Sequence, residues 1–164
     1  MTTHERVDAI FREAREDVYY YVLTLGLAPA QAQEVTQEVF LRLFVTMRGG
    51  EEVLNPRAWV FRVAHNLGLK TKSKERHSQE FSPELENVLA HPDDNSEQQI
   101  LLSERDRRLR EAIRELSPQQ RQVLHLRAEG LRYQEIAETL GIATSTVGEF
   151  LRRALNRLRK VLHE

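Results

Sequence analysis

Residues 133–151 read YQEIAETLGIATSTVGEFL and carry the strongest indication of the fold. Two helices that cross steeply need a small residue where they touch, and Ala137 supplies it. Four residues later the chain must turn sharply, and Gly141 tolerates the left-handed backbone of such a turn. Apolar residues stand where a small three-helix core needs them: Ile136, Leu140, Ile142, Val147 and Phe150. The spacing predicts a helix-turn-helix whose second helix opens with polar residues.

A helix-turn-helix places the first residues of its second helix in the major groove of duplex DNA. The arginines that follow would contact phosphates, which gives affinity but no sequence information. We therefore predict these duplex-DNA contacts: Tyr133, Gln134, Thr144, Ser145, Thr146, Glu149, Arg152, Arg153 and Arg157. The simpler interpretation is a helical hairpin with a basic, solvated end. The joint fit of alanine, glycine and five apolar residues argues against it.

The rest of the chain has helical patterning as well. Apolar residues recur at spacings of three and four from Val7 to Leu25 and from Val35 to Met47. Prolines at positions 29, 56 and 118 suit first helical turns, Asn55 is the N-cap expected before Pro56, and Ser117 opens a capping-box pattern. The pattern predicts an all-α protein of two small helical domains. The first is a bundle of three to four helices and the second contains the helix-turn-helix.

Residues 77–99 differ from both flanks. They carry six acidic residues and no lysine or arginine, and Pro83 and Pro92 interrupt any long helix. We interpret this stretch as an acidic linker between domains at 1–76 and 100–164.

Composition excludes several classes of protein. The 164 residues are 40% hydrophobic and 30% charged, and no apolar run approaches the length that spans a bilayer. The polar N-terminus lacks the apolar core of a secretion signal, so we expect a cytoplasmic protein without membrane contact of its own. There is no cysteine, the six histidines are scattered, and no glycine-rich phosphate loop occurs. We predict no catalytic residue, cofactor or metal.

The net charge of −1 hides an alternation along the chain. Residues 1–40, 41–80, 81–120 and 121–164 carry net charges of −4, +4, −4 and +3. The two basic zones are each candidates for contact with nucleic acid.

Several segments resemble bacterial sigma factors of the extracytoplasmic-function class, within the sigma-70-like family. Residues 116–124, LSPQQRQVL, and 130–138, GLRYQEIAE, are similar to the family's promoter-distal DNA-binding domain. Residues 34–43, EVTQEVFLRL, resemble the helix that docks onto core RNA polymerase. Residues 55–67, NPRAWVFRVAHNL, resemble the promoter-melting helix. The resemblance implies a factor that directs core RNA polymerase to promoters, binding both duplex and melted DNA.

The resemblance also implies two sets of site residues in the first domain. The polymerase-docking set lies on the face of one helix: Glu34, Gln37, Glu38, Leu41 and Arg42. The minus-ten set combines aromatic and basic groups: Phe61, Arg62, Asn66, Lys70, Lys72, Lys74 and Arg76. Aromatic faces hold unstacked bases while cations follow the backbone. We expect Trp59 in the core and Phe61 as the aromatic that meets DNA.

Some residues depart from the family pattern. After its threonine-valine pair the recognition helix usually carries lysine, serine and arginine, where this chain has Gly148, Glu149 and Phe150. Because these three residues lie in the recognition helix, we expect an unusual minus-thirty-five element or a weaker dependence on it. In the first domain, Gln31 and Gln33 replace residues that are often acidic before the docking helix.

Two alternatives stay open at this point. A stand-alone helix-turn-helix regulator, acting as a dimer, explains the second domain but leaves the N-terminal segments unexplained. A sigma-like decoy would bind an anti-sigma protein and never initiate transcription. An anti-sigma protein is also an open further partner of a working sigma factor. An enzyme is a distant third hypothesis.

Overall fold

The structure is a computed structural model that describes residues 1–76 and 103–163. The chain divides into two compact units, Met1–Leu89 and Ala90–Glu164, and each is described by itself. The described residues form seven α-helices and no strand. The acidic linker predicted at residues 77–99 lies outside the described residues.

Up to residue 76, the N-terminal unit consists of three long helices: α1 Thr3–Thr24, α2 Pro29–Arg48 and α3 Pro56–Arg76. Each helix packs against the other two. Helix α1 begins with a capping box in which Thr2 and Glu5 exchange hydrogen bonds of 3.2 and 3.3 Å. The predicted N-cap of α3 is confirmed, because the amide of Ala58 donates to the side chain of Asn55 at 3.3 Å.

The core of this unit combines aliphatic and aromatic side chains. Its fully buried members come from all three helices and one loop: Val18, Tyr21, Val22, Leu27, Ala32, Val39, Leu43, Val60, Phe61 and Ala64. Gly26 turns the chain after α1 at a φ of +96°, a left-handed conformation that glycine adopts without strain. The turn lets Leu27 reach the core beneath the start of α2.

Between residues 103 and 163, the C-terminal unit consists of four shorter helices: α4 Glu104–Glu115, α5 Pro118–Ala128, α6 Tyr133–Leu140 and α7 Thr144–Leu162. The predicted capping box at Ser117 is confirmed, since the amide of Gln120 donates to its hydroxyl at 3.2 Å. Helix α7 packs against each of the other three. The core beneath it is aliphatic: Val123, Leu126, Leu131, Ile136, Val147 and Ala154.

The predicted helix-turn-helix is confirmed in α6 and α7. Ala137 is buried at the crossing, and Gly141 ends α6 in a left-handed conformation with φ of +68°. Of the predicted core positions, Ile136 and Val147 are fully buried. The other three, Leu140, Ile142 and Phe150, are only half-buried.

Candidate partner and nucleic-acid surfaces

The outward face of α2 presents acidic and apolar side chains in one row. Glu34, Glu38, Leu41 and Val45 follow one another at spacings of four, three and four residues, which aligns them on a single helical face. Leu41 is 56% exposed and Val45 is 62% exposed, although both are apolar. We call these four residues the α2 stripe.

The residues predicted to dock the polymerase lie on or beside the α2 stripe. Gln37 and Arg42 are exposed at its edges, and Arg42 forms an ion pair of 3.1 Å with Glu38. Sequence reasoning missed Val45, although its spacing of four residues from Leu41 was the signal that could have found it. The opposite face of α2 supplies buried Val39 and Leu43 to the core.

The outward face of α3 carries polar, basic and aromatic groups. Residues at spacings of three and four make up this α3 face: Trp59, Arg62, Asn66, Leu69, Lys70 and Ser73. All are exposed except Trp59, which is half-buried. Leu69, which the sequence analysis did not select, is 46% exposed and adds an apolar group among the cations.

The two aromatic residues in α3 are not buried as predicted. Phe61 is fully buried, so its selection as a DNA-contacting residue is wrong. Its ring packs edge-on against Tyr21 at 5.8 Å, and the Arg57 guanidinium lies 5.5 Å from its centre. The reason is that α3 contacts both α1 and α2, which turns Phe61 inward and Trp59 toward the α3 face.

The basic residues predicted along α3 have different surroundings. Lys70 and Lys74 are exposed, whereas Lys72 is half-buried and its ammonium donates to the carbonyl of Gly26 at 3.0 Å. Lys72 therefore ties the end of α3 to the turn after α1. The side chain of Arg76 lies outside the described residues.

Two further polar contacts join α3 to the other helices. Near its start, Arg57 forms ion pairs with Asp17 at 3.0 Å and Glu13 at 3.6 Å. Near its end, the Gln31 amide donates to Glu75. This second contact gives a physical account of the departure at Gln31, because an acidic residue there would face another carboxylate.

A buried hydrogen bond joins the middle of α3 to α1. The Tyr21 hydroxyl lies 2.8 Å from Nδ1 of His65. Tyr21 is 0% exposed and His65 is 4% exposed. Burial raises the pKa of the Tyr21 phenol and lowers the pKa of the His65 imidazole, because both charged forms lose hydration. The pair is therefore neutral at physiological pH.

The helix-turn-helix presents the predicted duplex-DNA residues on its surface. Thr144 and Ser145 are exposed at the start of α7, and Thr146 is half-buried. Tyr133 and Gln134 are exposed at the start of α6. A β-carbon added at Gly148 would lie 3.6 Å from the Tyr133 ring, so the glycine there is not required by crowding.

Three arginines of α7 form ion pairs with acidic neighbours. Glu149 pairs with Arg153 at 2.8 Å and more weakly with Arg152 at 3.9 Å. Arg157 pairs with Glu115 of α4 at 2.5 Å. All of these side chains are largely exposed, so water screens the pairs and they can exchange for a phosphate.

Comparisons with known proteins assign the two units. Residues 10–77 match the model of sigma-70 region 2, and residues 106–158 match that of sigma-70 region 4. The ECF RNA polymerase sigma factor SigL of Mycobacterium tuberculosis is 32% identical over an alignment of 164 positions, which covers 95% of this chain and 88% of SigL. The chain belongs to the ECF sigma factors. SigK of Mycobacterium sp. strain KMS is 26% identical, with 94% and 81% of the two chains covered.

Solved structures share the fold of this sigma factor. RpoE of Bartonella quintana, solved with the anti-sigma factor NepR, has a TM-score of 0.64 and 20% identity. The alignment covers 95% of this chain and 96% of RpoE. CnrH, solved with the cytosolic domain of CnrY, has a TM-score of 0.59 and 18% identity over 98% and 89% of the chains.

Membership of this family argues against a stand-alone helix-turn-helix regulator. As an ECF sigma factor with regions 2 and 4, the protein directs RNA polymerase to promoters. A stand-alone helix-turn-helix regulator does not account for region 2, whose match spans most of α1 and all of α2 and α3. Among residues 1–76 and 103–163, no helix is long and apolar enough to cross a membrane. No metal-binding cluster occurs in those two ranges either.

Proposed function

We propose that the sigma factor divides its work among three surfaces. The α2 stripe docks onto core RNA polymerase, the α3 face holds the melted minus-ten strand, and the helix-turn-helix binds the duplex minus-thirty-five element. The proposed domain bounds are 1–76, 77–99 for the linker, and 100–164. The observation that carries this division is the exposure of Leu41 and Val45 beside acidic groups on α2.

The α2 stripe suits a protein partner better than a nucleic acid. Its two apolar side chains are more than half exposed, and burying apolar surface stabilises a complex by about 25 cal/mol per Å². Its carboxylates, on Glu34 and Glu38, repel phosphates but pair with cationic side chains across a protein interface. The stripe therefore supports docking on the polymerase.

The α3 face suits a single strand better than a duplex. Trp59 offers part of an aromatic ring for a base, Asn66 offers donors and acceptors, and Arg62 and Lys70 offer cations for the backbone. Base edges and faces become available only after the duplex opens. With Phe61 buried, Trp59 takes its place in the proposal.

The start of α7 supports the minus-thirty-five role with an altered readout. Thr144 and Ser145 stand where a recognition helix meets base edges. Glu149 accepts from Arg153, and a carboxylate in the major groove can accept a hydrogen bond from cytosine. The proposed element therefore contains cytosine opposite Glu149.

The proposed cellular location and partners of the protein follow from the same division of work. Core polymerase supplies the chemistry of transcription, and the sigma factor acts in the cytoplasm without catalysis, cofactor or membrane contact of its own. An anti-sigma protein is included as a further partner, because RpoE of the same fold was solved with the anti-sigma factor NepR.

Run-off transcription tests the proposal directly. Purified core RNA polymerase would be combined with this protein and a pool of upstream regions from the source genome, including that of its own gene. We expect discrete transcripts that require the protein. Firm core binding without transcripts would favour a decoy. An absence of core binding would contradict the docking role of the α2 stripe.

The first prediction concerns docking. Glu38→Arg should lower the affinity for core polymerase by about tenfold, because it reverses a charge beside the exposed apolar groups and loses the pair with Arg42. Fluorescence anisotropy with labelled protein would measure the affinity. Glu16→Arg, the same change at an exposed position of α1, is the matched control. Normal affinity of Glu38→Arg would remove the α2 stripe from the interface.

The second prediction concerns phosphates. Arg152→Ala combined with Arg153→Ala should weaken promoter binding by the holoenzyme and reduce its salt dependence. Each lost phosphate contact lowers the slope of log affinity against log salt by about 0.9. Arg107→Ala with Arg114→Ala removes two exposed arginines from α4 as a control. An unchanged slope in the α7 variant would show that these arginines do not contact phosphates.

A further inference from the structure

The buried pair of Tyr21 and His65 stands out in the core of the N-terminal unit. Two polar side chains are taken from water, and the hydrogen bond between them compensates for lost hydration. Apolar side chains of similar shape would pack α1 against α3 without this cost. A directional contact in a core specifies geometry, because only one arrangement of the helices satisfies both partners.

The pair lies next to the α3 face. His65 precedes Asn66, and the buried side of α3 holds Phe61 and Ala64 while Arg62 and Asn66 point outward. A helix with its side chains has a radius of about 5–6 Å, so a rotation of about 20° would move an outward group by about 2 Å. The contact to Tyr21 opposes such a rotation at the level of Arg62 and Asn66.

Contacts at the ends of α3 are less suited to this task. Arg57 and Lys72 reach their partners through long, partly exposed side chains, which can follow a rotation of the helix. The imidazole of His65 is short and enclosed, so its hydrogen bond tolerates little displacement.

We propose that Tyr21 and His65 are positioning residues for binding of the melted minus-ten strand. Their hydrogen bond fixes the rotation of α3 about its axis and so sets the places of Arg62 and Asn66 against the strand. The inference rests on the proposed role of the α3 face, and it adds two residues that do not touch DNA.

The experiment removes the hydrogen bond in two ways and measures strand binding by the holoenzyme. The variants are Tyr21→Phe, His65→Leu and their combination. The probe is a single-stranded oligonucleotide with the non-template minus-ten strand of a promoter found by run-off transcription. Binding is measured well below the unfolding temperature of each variant. The matched control is Tyr19→Phe, which removes a hydroxyl from a half-buried tyrosine of the same helix.

The double variant separates positioning from stability. Replacing both partners by apolar groups removes both ends of the hydrogen bond together, so the double variant should unfold at a temperature at least as high as the single variants. We expect it to bind core polymerase normally and the oligonucleotide about tenfold more weakly, since displacements of about 1 Å cost large factors at a preorganised site. Normal strand binding by the folded double variant would overturn the proposal.

Two more variants complete the test. His65→Asn places an amide group near the position of Nδ1 and should retain most of the strand affinity. Arg62→Ala with Asn66→Ala tests the α3 face itself. If that variant binds the strand normally, the proposed function of α3 is wrong. If it binds weakly while the double variant binds normally, only the positioning role is wrong.

Discussion

The two units of this sigma factor each bury an apolar core, but they differ in the length of their helices and in the side chains of that core. Helices of 22, 20 and 21 residues form the N-terminal unit, and its core includes the fully buried rings of Tyr21 and Phe61. Helices of 8 to 19 residues form the C-terminal unit, whose described residues include no fully buried aromatic. The smaller core should leave the C-terminal unit more sensitive to the loss of a single side chain.

The polar contacts that hold α3 and those on the surface of α7 differ in the same sense. In the N-terminal unit, Tyr21 and His65 meet in the core, and the Arg57 side chain is 28% exposed. In the C-terminal unit, the side chains of Arg153 and Glu149 are 57% and 49% exposed. Exposed pairs contribute about 0–1 kcal/mol, so they orient groups on the surface and add little stability. The α3 face, which we propose binds the single strand, is therefore held by buried contacts, whereas the surface of α7, which we propose binds the duplex, is adjustable.

The largest expected effect comes from the C-terminal core. Leu126→Ala should lower the free energy of unfolding of that unit by about 2–5 kcal/mol, because Leu126 is fully buried and leaves a cavity. Trp59 is the single tryptophan of the chain and reports on the N-terminal unit. Urea unfolding followed by far-ultraviolet circular dichroism should show an early transition, whereas Trp59 fluorescence should not. Leu43→Ala should instead shift the fluorescence transition. Equal shifts of both signals in Leu126→Ala would mean that the units unfold together.

The next largest effect is a pH dependence of the stability of the N-terminal unit, which contains the buried His65. Burial lowers the pKa of His65 below its ordinary value of 6.5, so the unfolded chain takes up a proton first as the pH falls. The stability linked to His65 is complete above about pH 6.5 and is lost as the pH falls toward the lowered pKa. Urea midpoints from Trp59 fluorescence between about pH 7.5 and pH 5 would measure it. His65→Asn should show a smaller loss over this range, and an equal loss would contradict the assignment.

The smallest effect is a gain in stability within the recognition helix. Gly148→Ala should stabilise the C-terminal unit by about 1 kcal/mol, because glycine weakens a helix interior and the added β-carbon meets Tyr133 at an ordinary distance. Urea unfolding followed by circular dichroism would measure the change. Gly141→Ala is the opposite control, since its φ of +68° strains any other residue. Destabilisation by Gly148→Ala would show that α7 needs glycine there for another reason.

Much of the fold could be predicted because its signals are local. The caps at Asn55 and Ser117, the turn at Gly141 and the apolar periodicity of each helix depend on neighbours within one or two turns. The same periodicity placed Glu34, Glu38 and Leu41 of the α2 stripe on one helical face, although Val45 was not selected. These features are set by geometry that a short segment carries by itself.

Side chains whose positions were not predicted correctly depend on contacts between helices. Periodicity gave α3 one apolar stripe, but α3 lies against two helices, and this wider contact buries Phe61 and half exposes Trp59. Lys72 pairs with a carbonyl 46 residues away in the sequence, and Tyr21 lies 44 residues from His65. A pattern of residues within one helix gives no information about contacts between residues so far apart in the sequence.

Residue spacing, capping and motif show that this chain is helical, that it carries a helix-turn-helix, and that it resembles sigma factors. These signals lie along the chain and depend on residues close in sequence. The three-dimensional structure was needed to show which face of α3 is outward, which cations pair with other groups of the protein and which polar pair enters the core. Each of these depends on how helices distant in sequence rotate against one another, and close packing settles that rotation only when all the helices are present.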